Sequence, residues 1–139
     1  MRKKIIILAV LILILFSIIF GYLYTGRKNA EKIVVNTNDG NVRIDNIYQK
    51  AEELLPDGDL TIKSTSDYSI DYYPKFSQFA ISISNPDVET AKKQAEQDLI
   101  AVLGISEKDA CKLNVDITVP YSVNPQYAGN IYGLSFCDK

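Results

Sequence analysis

Two cysteines are the residues of this chain whose type and spacing most directly indicate a chemical bond. They are Cys111 and Cys137, with 25 residues between them. A structural zinc site needs more soft ligands, and a thioredoxin-like redox pair has the spacing C-x-x-C, so neither is indicated. In an exported domain the pair most simply forms one disulfide, which stabilises a loop of this length by about 3–4 kcal/mol in the chain-entropy model. In a cytosolic protein the same residues would be two buried free thiols.

Residues suited to catalysis are scarce. The chain contains no histidine, which removes the commonest general base and the commonest transition-metal ligand together. A nucleophilic serine would need a lysine as its base, yet Ser64 and Ser106 stand in turn and cap contexts that already account for them. Asp57 and Asp59 belong to a turn, where aspartate is common for backbone reasons. The sequence leaves open only a glycosidase-like pair of carboxylates that the fold brings together from distant positions. We therefore expect no enzyme activity, no metal site and no cofactor.

Tyrosines form the pattern that favours a binding role. A tyrosine ring is rigid and has a polar tip, so an exposed group of tyrosines suits recognition of a peptide, glycan or protein. Tyrosine also occupies half-buried strand positions simply because it favours β-structure. The possible binding surface consists of Tyr68, Tyr72, Tyr121, Tyr127 and Tyr132, with Tyr73 nearby. The loop 120–130 is its best single candidate.

Alternating apolar residues predict the strands that position these side chains. Residues 60–64, 68–72 and 79–84 alternate with short turns between them, which predicts an antiparallel meander. Residues 113–119 alternate strictly, and a last strand covers 131–137. If these two strands pair antiparallel, Cys111 and Cys137 meet at the open end of the hairpin.

Two helices complete the predicted domain. An apolar stripe over residues 44–55 ends at Pro56 and predicts a core-packing helix. The second helix has Asn85 as N-cap, Pro86 at its first position and Gly104 as its left-handed end. Four polar side chains of this helix are expected to face water: Lys92, Lys93, Glu96 and Gln97. Lys92 and Glu96, four residues apart, are expected to form an ion pair.

The order helix, three strands, helix, two strands predicts an α+β sandwich. Its sheet is expected to be mainly antiparallel, with both helices on one face in a ferredoxin-like arrangement. Residues 44–139 would form this domain.

The N-terminal segment Ile5–Tyr24 contains no charge and no proline. As a helix its twenty residues span roughly 30 Å, the thickness of a bilayer core. Fourteen of the first sixteen are Ile, Leu, Val or Phe, and their insertion energies sum to roughly −4 to −8 kcal/mol. A cleaved signal peptide is the alternative, but the run is too long and no Ala-x-Ala follows it. The segment therefore predicts a retained anchor in the lipid bilayer.

The charge pattern orients the chain. Arg2, Lys3 and Lys4 abut the anchor, so residues 1–4 are expected in the cytoplasm and residues 25–43 form a juxtamembrane linker outside it. The 15 basic residues less these three, against 17 acidic residues, leave the remainder at about −5. An acidic domain opposes nucleic-acid binding, which requires a basic footprint.

Four stretches between Tyr68 and Cys137 carry a resemblance: YSIDYYPKFSQFAISI, AEQDLIAVLGIS, DACKLNVDITVP and AGNIYGLSFC. They resemble small, uncharacterised, membrane-anchored bacterial proteins, over about half of the chain. The resemblance implies a single-pass topology and a cysteine pair, and no activity. The expected function is non-catalytic docking onto a protein partner in the cell envelope. The alternative is an anchored binding domain for a peptide, glycan or small ligand.

Overall fold

The computed structural model of the protein describes residues 31–137. The predicted anchor Ile5–Tyr24 lies outside these residues. Within them, no helix combines the length and the apolar character needed to cross a membrane. The described chain is α+β, with two sheets, two α-helices and mainly antiparallel strands, which confirms the predicted class.

The described chain begins with a β-hairpin, β1 (Lys32–Thr37) and β2 (Gly40–Asp45). Val35, Val42 and Ile44 are buried in the core. For residues 25–43 the sequence predicted a juxtamembrane linker. Both strands form because apolar residues alternate with period two on each side of the turn, and pairing buries that face.

The prediction of a helix over residues 44–55 is wrong. Residue Ile44 belongs to β2, where it lies opposite Ile33. After it, Ile47–Gln49 is one 3₁₀ turn, capped by the Asn46 side chain. The stripe does not define one buried face, since its later member Leu54 is exposed. Strand pairing in the hairpin overrides the helical spacing, because propensity and local pattern are weak beside tertiary pairing.

A six-stranded sheet forms the second layer, with strands in the order of the chain. They are β3 (Glu53–Leu54), β4 (Leu60–Ser64), β5 (Tyr68–Tyr73), β6 (Gln78–Ile83), β7 (Asn114–Thr118) and β8 (Ile131–Tyr132). The meander of β4, β5 and β6 is antiparallel as predicted, and only β6 and β7 are parallel. A ferredoxin-like chain has two crossover helices. The ferredoxin-like expectation is wrong, because a single crossover joins β6 to β7.

That crossover is helix α1 (Val88–Leu103), which packs against β5 and β6. Its N-cap is Asp87, two residues later than predicted, and Asn85 instead accepts a hydrogen bond from the Asp87 N–H at 2.8 Å. Its end at Gly104 is confirmed, with a φ of 62°. A Cβ at Gly104 would lie 2.6 Å from the Asp45 carboxylate, so both backbone and space require glycine there.

The chain then forms the short helix α2 (Glu107–Ala110), whose N-cap is Ser106 as predicted. The last strand is shorter than predicted, because β8 pairs with β7 over only two residues and the chain then turns. The predicted disulfide is confirmed: Cys111 and Cys137 are bonded, with their Cα atoms 5.5 Å apart. The bond joins the end of α2 to the turn at residues 135–137, which we call the C-terminal turn. It does not join two paired strands, as the sequence had predicted.

Candidate functional site

Two of the tyrosines assigned to the binding surface lie in the core. Tyr68 and Tyr72 are 3% and 6% exposed. In β5 they alternate with Ser69 and Asp71, so they share the sheet face that packs on α1. Their burial means that neither side chain can contact a partner.

The Tyr68 hydroxyl belongs to a partly buried polar network. It donates a hydrogen bond to the Asp98 carboxylate of α1, and Lys63 forms an ion pair with the same carboxylate at 2.6 Å. Lys63 reaches α1 because the register of β4 shifts between Thr61 and Lys63. A bulge places the residue after it on the other face of the sheet. The network joins β4 and β5 to α1 and has a structural role.

The other three tyrosines lie around the loop that follows β7. Tyr121 is 75% exposed, whereas Tyr127 and Tyr132 are half-buried. The rings of Tyr127 and Tyr132 lie 6.2 Å apart between centroids, and the Tyr132 hydroxyl donates to the Tyr127 carbonyl at 3.0 Å. We call these three residues the tyrosine surface.

Two members of the tyrosine surface, Tyr127 and Tyr132, and the loop before them lie at the first turns of α1. The Asn124 side-chain amide donates to the Pro86 carbonyl at 3.3 Å. The Glu89 carboxylate beside the Tyr127 hydroxyl raises the pKa of Tyr127, so this tyrosine stays neutral and can donate a hydrogen bond. One turn further along α1, the Lys92 ammonium lies 5.6 Å from the centroid of the Tyr132 ring.

Glu96 lies on the same flank of α1, one turn after Lys92. Its exposure to solvent differs from the prediction. The sequence placed it in water, yet its side chain is 5% exposed. Its Oε1 accepts hydrogen bonds from the Ser135 N–H at 2.7 Å and the Ser135 hydroxyl at 2.9 Å. The predicted ion pair with Lys92 is present, at 3.7 Å. Sequence reasoning missed Glu96 because no local pattern shows that Ser135 reaches it.

A groove of about 680 Å³ runs between this flank of α1 and the C-terminal turn. Its lining combines carboxylates, one lysine and two apolar side chains. The residues that matter here are Glu89, Lys93, Glu96, Glu107, Ile100 and Phe136. The groove can therefore bind a group that is both cationic and partly apolar.

No group of three or more acidic, histidine or cysteine side chains within residues 31–137 could hold a metal ion. The three carboxylates of the groove come from separate turns and elements, and one of them, Glu96, accepts a hydrogen bond from the Ser135 hydroxyl at 2.9 Å. The lining offers charged and apolar groups for binding.

No protein-family model, no curated protein and no solved structure matches this chain. The resemblance to membrane-anchored bacterial proteins therefore stays a prediction. What the described residues provide is one continuous flank of α1, with the tyrosine surface at its start and the groove beside it.

Proposed function

We propose that this protein is a non-catalytic, single-pass membrane protein of the cell envelope. Residues 5–24 anchor it in the bilayer with the N-terminus in the cytoplasm, and the domain outside docks onto a protein partner. The observation that carries the proposal is the tyrosine surface: Tyr127 and Tyr132 lie together at the first turns of α1, and Tyr121 is exposed in the same loop that precedes them. Tyrosine is enriched at protein interfaces because its ring offers apolar area and its hydroxyl offers a hydrogen bond.

The position of the tyrosine surface supports docking. The described chain begins near the C-terminal end of α1, where Lys32 Nζ lies 3.5 Å from the Gly104 carbonyl. The loop that carries the tyrosines contacts the other end: Asn124 donates to the Pro86 carbonyl just before α1, and Lys92 faces the Tyr132 ring. Because α1 has 16 residues, the two ends are about 24 Å apart. A partner can therefore cover the tyrosines without contacting Lys32, near which the described chain begins.

The second candidate function is capture of a peptide, glycan or small ligand. The groove beside α1 favours it, since about 680 Å³ lies within the range of ligand pockets. The tyrosines do not line this groove, so it does not use the tyrosine-rich surface that the sequence offered for binding a ligand. Docking therefore has the better support.

Site-specific photo-crosslinking in intact cells tests the docking proposal. A photoreactive phenylalanine analogue replaces Tyr121 or Tyr127 in the full chain, and crosslinked proteins are identified by mass spectrometry. Tyr48 is the matched control, because it is also an exposed tyrosine but lies in the 3₁₀ turn after β2, where the Asn46 N–H donates to the Glu31 carbonyl at 2.7 Å. We expect one envelope protein to be crosslinked from Tyr121 and Tyr127 and not from Tyr48. Absence of any crosslinked protein from either position would contradict the proposal.

A further inference from the structure

We propose that the groove beside α1 receives a lysine side chain of the partner, with Glu96 as the group that binds its ammonium. This inference rests on the proposed docking function and specifies the chemistry of the partner. It is carried by an unpaired oxygen of a buried carboxylate, by the charge of the groove and by its two apolar side chains.

The two oxygens of Glu96 differ in their surroundings. Oε1 accepts both hydrogen bonds from Ser135, whereas Oε2 accepts none from residues 31–137. In the same part of the chain, every fully buried side-chain nitrogen or oxygen has a hydrogen-bond partner. Oε2 therefore keeps some exposed surface, and since Glu96 lines the groove, we take Oε2 as the oxygen that a donor in the groove would reach. A nearly buried carboxylate with one free oxygen is a strong acceptor for a donor that enters the groove.

The nearest lysine does not satisfy this oxygen. The Lys92 ammonium lies 3.7 Å from Oε1, which is beyond hydrogen-bond distance, and it also faces the Tyr132 ring. Three carboxylates line the groove, those of Glu89, Glu96 and Glu107, against the single ammonium of Lys93. Even with Lys92 counted, the groove favours a cation.

The apolar part of the groove matches the stem of a long basic side chain. Ile100 and Phe136 line it and are half-buried. Lysine and arginine both cover apolar surface with their methylene groups while the charged head reaches a polar partner. An amine without such a stem would leave Ile100 and Phe136 in contact with water.

The occupied oxygen selects lysine over arginine. A guanidinium binds a carboxylate best through two parallel hydrogen bonds, one to each oxygen. Here the Ser135 N–H and hydroxyl already occupy Oε1. An ammonium is a compact charge that needs only one oxygen, so it suits the free Oε2.

Nuclear magnetic resonance of the full chain in zwitterionic detergent micelles tests this inference. The probes are two tripeptides, acetyl-Ala-Lys-Ala-amide and acetyl-Ala-Arg-Ala-amide, titrated into ¹⁵N-labelled protein. We expect the lysine peptide to shift the backbone amide signals of Gln97, Ile100 and Ser135, and to bind at least about threefold more tightly than the arginine peptide. Added salt should weaken binding, because the interaction is between charges.

Two substitutions make the test specific. Glu96→Gln keeps an oxygen for Ser135 but removes the charge, and it should weaken the lysine peptide by about tenfold or more. Ser135→Ala frees part of Oε1 and should raise the affinity for the arginine peptide relative to the lysine peptide. The matched control is Glu53→Gln on β3, an exposed glutamate outside the groove, which should leave both affinities unchanged within about twofold. Amide spectra of each variant report whether it is folded.

Absence of shifts at the groove amides would overturn the inference, and so would equal binding by the wild-type chain and folded Glu96→Gln. The docking proposal fails independently, through the crosslinking result. A partner crosslinked from Tyr121 without any lysine-peptide binding would therefore refute only the inference about the groove.

Discussion

At the scale of single residues, Asp98 shows how a charge is kept in a partly buried place. Burial raises the pKa of its carboxyl group, but the hydrogen bonds from Lys63 and Tyr68 and the charge of Lys63 outweigh burial, so the pKa lies below its usual value. The same contact, together with burial, raises the pKa of the Tyr68 hydroxyl, which stays protonated and donates. The pair is therefore stable as a carboxylate and a neutral phenol.

This lowered pKa predicts a loss of stability in acid. A carboxyl whose pKa is lower in the folded state stabilises the fold fully above its unfolded pKa of about 3.9, and the contribution is lost as the pH falls through the folded pKa. We expect Asp98→Asn to reduce the free energy of unfolding by about 1–3 kcal/mol at pH 7. The variant should also lose stability less steeply than the wild type below about pH 4. Urea unfolding between pH 7 and pH 2 measures both effects.

The control for this experiment is Asp39→Asn in the turn of the hairpin. Asp39 is exposed and forms no ion pair with any described residue. Its replacement should change the free energy of unfolding by no more than about 0.5 kcal/mol. Equal acid sensitivity of wild type and Asp98→Asn would show that the network does not contribute as argued.

At the scale of elements, α1 organises the domain, because each of its flanks binds a different part of the chain. One flank carries Asp98, which joins the sheet through Lys63. The other carries Glu96, which joins the C-terminal turn through Ser135. The C-terminal turn forms one wall of the groove, and the disulfide holds its end.

The disulfide is expected to be a structural bond. Replacing both Cys111 and Cys137 by serine should lower the free energy of unfolding by about 3 kcal/mol, because the unfolded chain regains the freedom of the closed loop. Thermal unfolding with and without a reducing agent measures the effect, and reductant should change only the wild-type chain. Thiol labelling of the denatured, unreduced protein should find no free cysteine. Two labelled thiols would contradict the bond and the proposed location outside the cytoplasm.

At the scale of the whole molecule, the proposal depends on the anchor. Its insertion energy of roughly −4 to −8 kcal/mol comes from apolar residues alone. Replacing Leu13 and Leu15 by arginine adds roughly 6–8 kcal/mol at the centre of the span and should abolish insertion. Alkaline extraction of membranes measures this: the wild-type chain should stay with the membrane fraction, and the double variant should be released.

The control pair for the anchor is Leu13→Ile with Leu15→Ile, which keeps the apolar character of the segment and should stay in the membrane fraction. Release of the wild-type chain by alkali would contradict a retained anchor. A chain that is anchored but yields no crosslinked partner would instead contradict docking.

Much of the fold follows from patterns that a short window of sequence contains. Strands β4 to β7 have the period of two that one buried face requires, and α1 ends at Gly104 because only glycine accepts that backbone beside Asp45. The predicted N-cap of α1 lies two residues before the observed one. Asn85, Pro86 and Asp87 all suit a helix start, and only the backbone conformation selects among them.

The candidate site was far less predictable. Tyr68 and Tyr121 are the same residue type near strands, yet one is core and the other is surface. The alternation of β5 could have shown that Tyr68 and Tyr72 share one face with Ile70, but not that this face is the buried one. Glu96 looked like a solvent-facing residue because Lys92, one turn earlier, is charged and Gln97, the next residue, is polar.

The sequence by itself determined the strands of the meander, helix α1 and the pairing of the two cysteines, because backbone period, capping residues and cysteine number are local or countable properties. Tertiary structure alone decided that residues 32–45 pair as a hairpin, that Tyr68 and Tyr72 are buried, and that Glu96 receives Ser135. Glu96 and Ser135 are 39 positions apart. A contact of that kind exists only once the sheet has brought the C-terminal turn beside α1, since burial is a property of neighbours that a local pattern does not contain.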